Sequence, residues 1–205
     1  MLGRIGYVLS ALCMTIVLQL YLALVYRTGE SLWVAGLVVA AIGLALIWIS
    51  AALRPVEGAC GCIGWGAALK FTLVLFAVQL IHSLASYVAT GSFFGALPKS
   101  TELLTQLFVL VFAGPIFEEA IFRQYLFRAF YVGQSRLAQV VPVASTTIFF
   151  TIFHYSYWGT YSLFLIIALG IILGLARVRA GGVVLPIGLH ILSNMYAVLG
   201  AVKWP

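Results

Sequence analysis

Long apolar runs, each closed by a short cluster of charges, Gly or Pro, divide the chain into seven segments: residues 5–26, 31–53, 67–89, 102–127, 139–157, 161–178 and 183–201. A helix needs roughly 20 apolar residues to cross about 30 Å of hydrocarbon, and each segment comes close to that length. The first run follows Arg4 and looks at first like a secretory signal. Its apolar stretch of about 22 residues exceeds the roughly 7–15 of a signal core, so it predicts a spanning helix instead. Of the connections between segments, residues 54–66 and 90–101 are the longest, and neither is long enough to fold alone. The pattern predicts a single all-α polytopic membrane domain over residues 1–205, with about seven transmembrane helices.

Composition supports that pattern. Of the 205 residues, 64% are hydrophobic and 8% charged, and the mean hydropathy is +1.15. A soluble domain carries about 25% charged residues, so this chain lacks the material for a polar shell. Aspartate is absent; the five acids are Glu30, Glu57, Glu102, Glu118 and Glu119, against eleven Lys and Arg. The basic residues are scattered at the ends of apolar runs rather than gathered in a patch, which argues against nucleic acid as a partner and marks them as topology signals. On alternate sides they divide into Arg4, Arg54, Lys70, Arg128, Arg136, Arg177 and Arg179 against Arg27, Lys99 and Lys203. That bias predicts a cytoplasmic amino terminus, in what is expected to be the cell membrane of a prokaryote. Cys13 lies in an apolar run, and Cys60 and Cys62 lie in a connection on the cytoplasmic side, where free thiols are expected. A metal site on the latter pair lacks two further ligands nearby.

An ionisable side chain inside a bilayer costs at least a few kcal/mol, so each one is a candidate functional group. Here they are Lys70, His82, Glu118, Glu119, Arg123, His154 and His190, with Asn194 as a strongly polar companion. Lys70 reads as a snorkelling residue. His82 reads as structural or as facing a water-filled cavity.

Glu119 and Arg123, four apart, share a helix face and can pair. Glu118 points about 100° away, without a partner in its own helix, and suits a group that accepts and returns a proton. Alternatively, Glu118 is a carboxylate at a helix end facing water, and Glu119 with Arg123 is purely architectural. His154 follows Phe149-Phe150-Thr-Ile-Phe in an apolar run and could equally be a packed histidine with its nitrogens satisfied. His190 and Asn194, also four apart, can donate hydrogen bonds in one direction, as an oxyanion requires, or bond between helices. Three segments thus each contribute part of one coherent set.

Glu118-Glu119-x-x-x-Arg123, then Phe150-x-x-x-His154, then His190-x-x-x-Asn194 resembles the three-motif signature of the CPBP family. These are intramembrane proteases that include type II CAAX prenyl proteases and the bacteriocin-processing, Abi-like group. The resemblance spans residues 102–201, which would be the protease core formed by the last four helices. It implies that Glu118 activates water with help from His154, that His190 and Asn194 stabilise the oxyanion, and that Glu119 with Arg123 supports the site. The substrate would be a membrane-associated peptide or protein. No cofactor is expected; zinc on two His and a Glu is the other possibility, but Asn194 is a poor zinc ligand and a good oxyanion donor. Two other functions fit the same residues: a non-catalytic bacteriocin-immunity or membrane-chaperone relative, and a small proton-coupled transporter. The bundle is expected to enclose a polar cavity open to the cytoplasm. Counted from Arg136, His154 should lie deeper than Glu118 and His190, unless its helix begins near Pro142 or tilts.

Overall fold

The computed structural model describes residues 8–9, 11–16, 32–53, 61–62, 64–94, 103–133, 135–154, 156 and 160–201. Among them are seven helical stretches and no strand, matching the seven apolar runs. They are α1 (residues 8–9 and 11–16), α2 (Leu32–Leu53), α3 (Trp65–Thr90), α4 (residues 103–130), α5 (Arg136–Phe153), α6 (Ser162–Ala180) and α7 (Val184–Ala201). By length and composition α3, α5, α6 and α7 are each able to cross a membrane. The distribution of side chains is that of a lipid-embedded protein. Leu37, Trp48, Leu84, Val88, Leu137 and Phe164 are exposed, while Gln79, Ser83, Glu119, Arg123, Thr146 and His190 are buried. A soluble monomer seldom exposes so much contiguous apolar surface.

Helix α4 changes register twice. Val109–Ala113 and Ala120–Leu126 are π-helical, set among the α-helical turns Leu103–Phe108, Gly114–Glu119 and Phe127–Phe130. The N–H of Gly114 bonds the carbonyl of Val109, five residues back. In that register the next donor would come from residue 115, which is proline and has no N–H. The carbonyl of Leu110 therefore needs a partner from outside its own helix, and Asn194 on α7 supplies one (Nδ2 to O, 2.8 Å). Such single-turn π segments are frequent at functional sites.

Helices α5 and α6 approach closely through Gly170 and Gly174, spaced four apart on one face of α6. A Cβ at Gly170 would lie 2.9 Å from Thr147 Cγ2, and one at Gly174 3.0 Å from Val143 Cγ1. Small residues at this spacing let backbones in a membrane pack tightly. Helix α5 begins at Arg136, capped by Ser135 Oγ, which accepts from the N–H of Ala138 (3.2 Å), and continues through Pro142. It stops at Phe153 rather than 157, because His154 takes φ −98° and ψ 36° and leaves the helix.

Two ends of the bundle can be told apart. The N–H of Cys62, just before α3, donates to the carbonyl of Ala180 at the end of α6 (2.8 Å). Lys70, Arg128, Arg136, Arg177 and Arg179 therefore cluster toward one end. Arg4, Arg27, Arg54, Cys60, Lys99, Glu102 and Lys203 lie outside the described residues. Two of the arginines taken from the sequence as topology signals at the ends of apolar runs lie inside the bundle. Arg128 and Arg177 are buried, and Arg177 Nε donates to the carbonyl of Arg123 (3.0 Å) with its guanidinium 5.1 Å from the Phe127 ring. A charge this far inside must find such partners.

Candidate active site

The backbone of α4 brings its two adjacent glutamates into different surroundings. From Glu119 to Ala129 every residue is buried. Glu119 and Arg123, each 0% exposed, are 3.1 Å apart (Oε1 to Nη1), and Arg123 Nη2 reaches the carbonyl of Gly170 (3.2 Å). The guanidinium also lies 4.7 Å from the centre of the Phe150 ring, a cation–π contact that strengthens when desolvated. Glu119 has a second partner that helical spacing alone did not reveal: His190 Nδ1 donates to the same oxygen at 2.9 Å. The acid thus holds a cation on its own helix and orients an imidazole on another.

Glu118 is 30% exposed, and its Oε2 lies 3.8 Å from His154 Nε2 and 3.9 Å from His190 Nε2. Neither separation is a direct hydrogen bond, and Glu118 Oε2 is buried without a hydrogen-bond partner among the described residues. Both rings are aimed from behind. His154 Nδ1 donates to the carbonyl of Phe150 (2.7 Å), as His190 Nδ1 does to Glu119. A carbonyl and a carboxylate only accept, so each Nδ1 carries a proton, and each ring turns its Nε2 toward Glu118. Phe150, fully buried, packs between these groups, its ring centre 4.2 Å from that of His154 and 5.8 Å from that of His190.

Of the residues singled out in the sequence, Glu118, His154 and His190 therefore converge, with Glu119 and Arg123 directly behind them. The depth conflict at His154 is resolved without starting α5 near Pro142: the ring comes from the residue that ends the helix and meets Glu118. Asn194 lies one turn beyond His190, with one amide hydrogen committed to Leu110. His82 is elsewhere, its Nε2 3.1 Å from Ser162 Oγ and its ring 5.4 Å from that of Tyr161. Lys70 is exposed near the start of α3. A cavity of ≈ 350 Å³ extends from Asn194 and Leu110 past His82 to Tyr161, Ser162 and Ala201. It runs toward the end of the bundle away from Arg136 and Arg179, where α6 begins and α3 and α7 finish.

Sequence inspection missed the roles of Gly170, Gly174 and Arg177, and the second partner of Glu119. The glycine spacing was a readable signal; the Arg177 and Glu119 contacts join residues 54 and 71 apart and left none.

Residues 99–196 match the family model described as Type II CAAX prenyl endopeptidase Rce1-like. The matched stretch runs through all three motifs, and the family is one of intramembrane proteases. No curated protein and no solved structure matches the chain.

Proposed function

We propose that this chain, whose carboxy-terminal half is Rce1-like, is a metal-free glutamate endopeptidase that hydrolyses a peptide bond of a membrane-associated polypeptide. The observation that carries this is the meeting of one carboxylate oxygen, on a side chain 30% exposed, with two imidazole Nε2 atoms. A water molecule fits within hydrogen-bond reach of Glu118 and the His154 ring, 3.8 Å apart. Glu118 takes a proton from that water as its oxygen attacks the carbonyl carbon. The same proton then passes to the departing amine nitrogen as the carbon–nitrogen bond breaks. His154, fixed by the Phe150 carbonyl, orients the water.

His190 serves the oxyanion from Nε2, which requires a second proton on its ring because Nδ1 is already engaged by Glu119. The uncommitted amide hydrogen of Asn194 is the second donor. The metal-free route is supported by spacing. Zinc with ligands at about 2.0–2.1 Å draws neighbouring donors to within about 3.4 Å of one another, closer than Glu118 stands to either ring. Among the described residues no group of His, Cys, Asp or Glu is arranged to hold a metal ion.

The test compares membrane peptides from cells carrying the unchanged protein, the Glu118→Gln variant, or neither. Cleavage products present only with the unchanged protein are expected; the same products with Glu118→Gln overturn the assignment. Activity of the purified protein is expected to survive exhaustive chelation. Loss on chelation with recovery only on adding zinc would overturn the metal-free route.

A further inference from the structure

Outside the candidate site, α5 and α6 leave a groove of ≈ 490 Å³ along their common seam. Its walls include Ala144 and Ile148 on α5 and Ile171 and Leu175 on α6, all exposed, above a floor of Val143 and Thr147, both buried. That floor is where Gly174 and Gly170 bring the two backbones together. On α5 the lining runs from Arg136 to Ile148, about 18 Å at 1.5 Å per residue. Half of a bilayer's hydrocarbon is about 15 Å, so the groove has the length of one leaflet.

Charge is confined to one end of it. Arg136 lines the groove where α5 begins. The antiparallel seam that sets Gly170 against Thr147 and Gly174 against Val143 continues to Val178 beside Gln139, both of which line the groove. Arg179, the next residue of α6, is thereby brought to the end that Arg136 marks. Both arginines are exposed. Arg136 stands in the first turn of α5, where the helix dipole disfavours a cation and no acid offsets it. The acids among the described residues, Glu118 and Glu119, are both engaged at the candidate site, so neither of these guanidinium groups draws its counter-charge from them.

We propose that this groove binds one anionic diacyl phospholipid, its phosphate at Arg136 and Arg179 and one acyl chain laid along α5 and α6. Each part of the ligand answers a separate observation. An apolar trough one leaflet long takes a chain, and two cations at its mouth take the phosphate, as basic pockets between transmembrane helices do. A free phosphate would leave the trough unfilled, and a zwitterionic headgroup would add its own cation to the two already there. The bound lipid braces the seam from which the Gly170 carbonyl reaches Arg123 (3.2 Å), so it steadies the support of the candidate site from the membrane side.

Binding is measured without turnover and stands or falls apart from the peptidase reading. In the full chain with Cys13, Cys60 and Cys62 replaced by Ser, Ala144→Cys is labelled with bimane and the protein is placed in phosphatidylcholine vesicles. Brominated phosphatidylglycerol is expected to quench the label at a mole fraction about tenfold lower than brominated phosphatidylcholine, the scale set by two basic residues near an anionic headgroup. Equal quenching by the two lipids overturns the proposal. A label on Leu84→Cys, exposed on α3, is expected to show no preference; the same preference there reports general attraction to a cationic protein and overturns the site. At Ala144→Cys the preference is expected to vanish in Arg136→Gln/Arg179→Gln, and its survival overturns the headgroup assignment. It is also expected to vanish in Leu175→Trp, or in Ile148→Trp if the first does not fold, because each fills the trough with both arginines in place. Survival there means a lipid held by charge alone and overturns the groove. Quenching by neither lipid means that protein covers the groove, which also overturns the proposal.

Discussion

The two ends of α4 obey opposite rules. Toward its carboxy terminus, eleven consecutive residues from Glu119 to Ala129 are buried, and the charges among them are held by rings, carbonyls and one another. Toward its amino terminus the helix shifts register, one carbonyl borrows a donor from α7, and Glu118 keeps an oxygen without a hydrogen-bond partner among the described residues, beside two imidazoles. The boundary falls between two adjacent glutamates. Adjacent carboxylates can therefore sit in opposite surroundings according to which side of a helix turn they occupy, and the packed end gives a rigid base to the three side chains that converge at the open end.

Substitutions on either side of that boundary should separate the two behaviours. Glu119→Gln leaves Arg123 buried without its counter-charge and is expected to cost about 3–5 kcal/mol, seen as a large fall in melting temperature and yield with activity lost alongside. A melting temperature equal to that of the unchanged protein would remove the distinction between the ends. Gly170→Val drives new methyl groups into Thr147 and should cost about 1–3 kcal/mol. Because the Gly170 carbonyl also holds Arg123, thermal stability and turnover should fall together in a denaturation and activity series. Asn194→Ala strands the Leu110 carbonyl, at about 1–3 kcal/mol. Single-turnover kinetics should show a further loss of about 100- to 1000-fold in rate, the magnitude expected for one oxyanion donor. Loss of stability with an unchanged rate would make Asn194 a bolt between α4 and α7 and nothing more. Glu118→Gln preserves volume where no hydrogen bond is broken, so its melting temperature should barely move while turnover disappears. A stable, inactive Glu119→Gln beside an active Glu118→Gln would exchange the roles of the two acids.

How much was legible follows from the range of each interaction. The helices came from apolar runs, and the Glu119–Arg123 pair from a spacing of four, because both are local consequences of the helix repeat. The three motifs, set in order along successive segments, led to Glu118, His154 and His190, which the fold does bring together. Pro115 was visible, but its effect was not. In an α-helix it would orphan the carbonyl of residue 111, and only the π register moves that vacancy to Leu110, opposite Asn194. Arg128 and Arg177 were counted only as topology signals, because a chain position near the end of an apolar run does not reveal a carbonyl or ring waiting inside. The polar stripe of α3 at residues 79, 83 and 86 had a readable period, yet only the fold shows that it bonds to Ser193, Tyr196 and Tyr161.

The solid end of the bundle has a further consequence for the cell. In a bilayer, ionisable groups open to one face would be half of a proton wire, and joining them to the other face would let ions leak across it. The buried run from Glu119 to Ala129 serves as the insulator in that circuit. A variant that loosens it carries a hazard unrelated to cleavage: expressed at high level, Glu119→Gln should depolarise its host, while Glu118→Gln, inert as a hydrolase but still sealed, should be harmless.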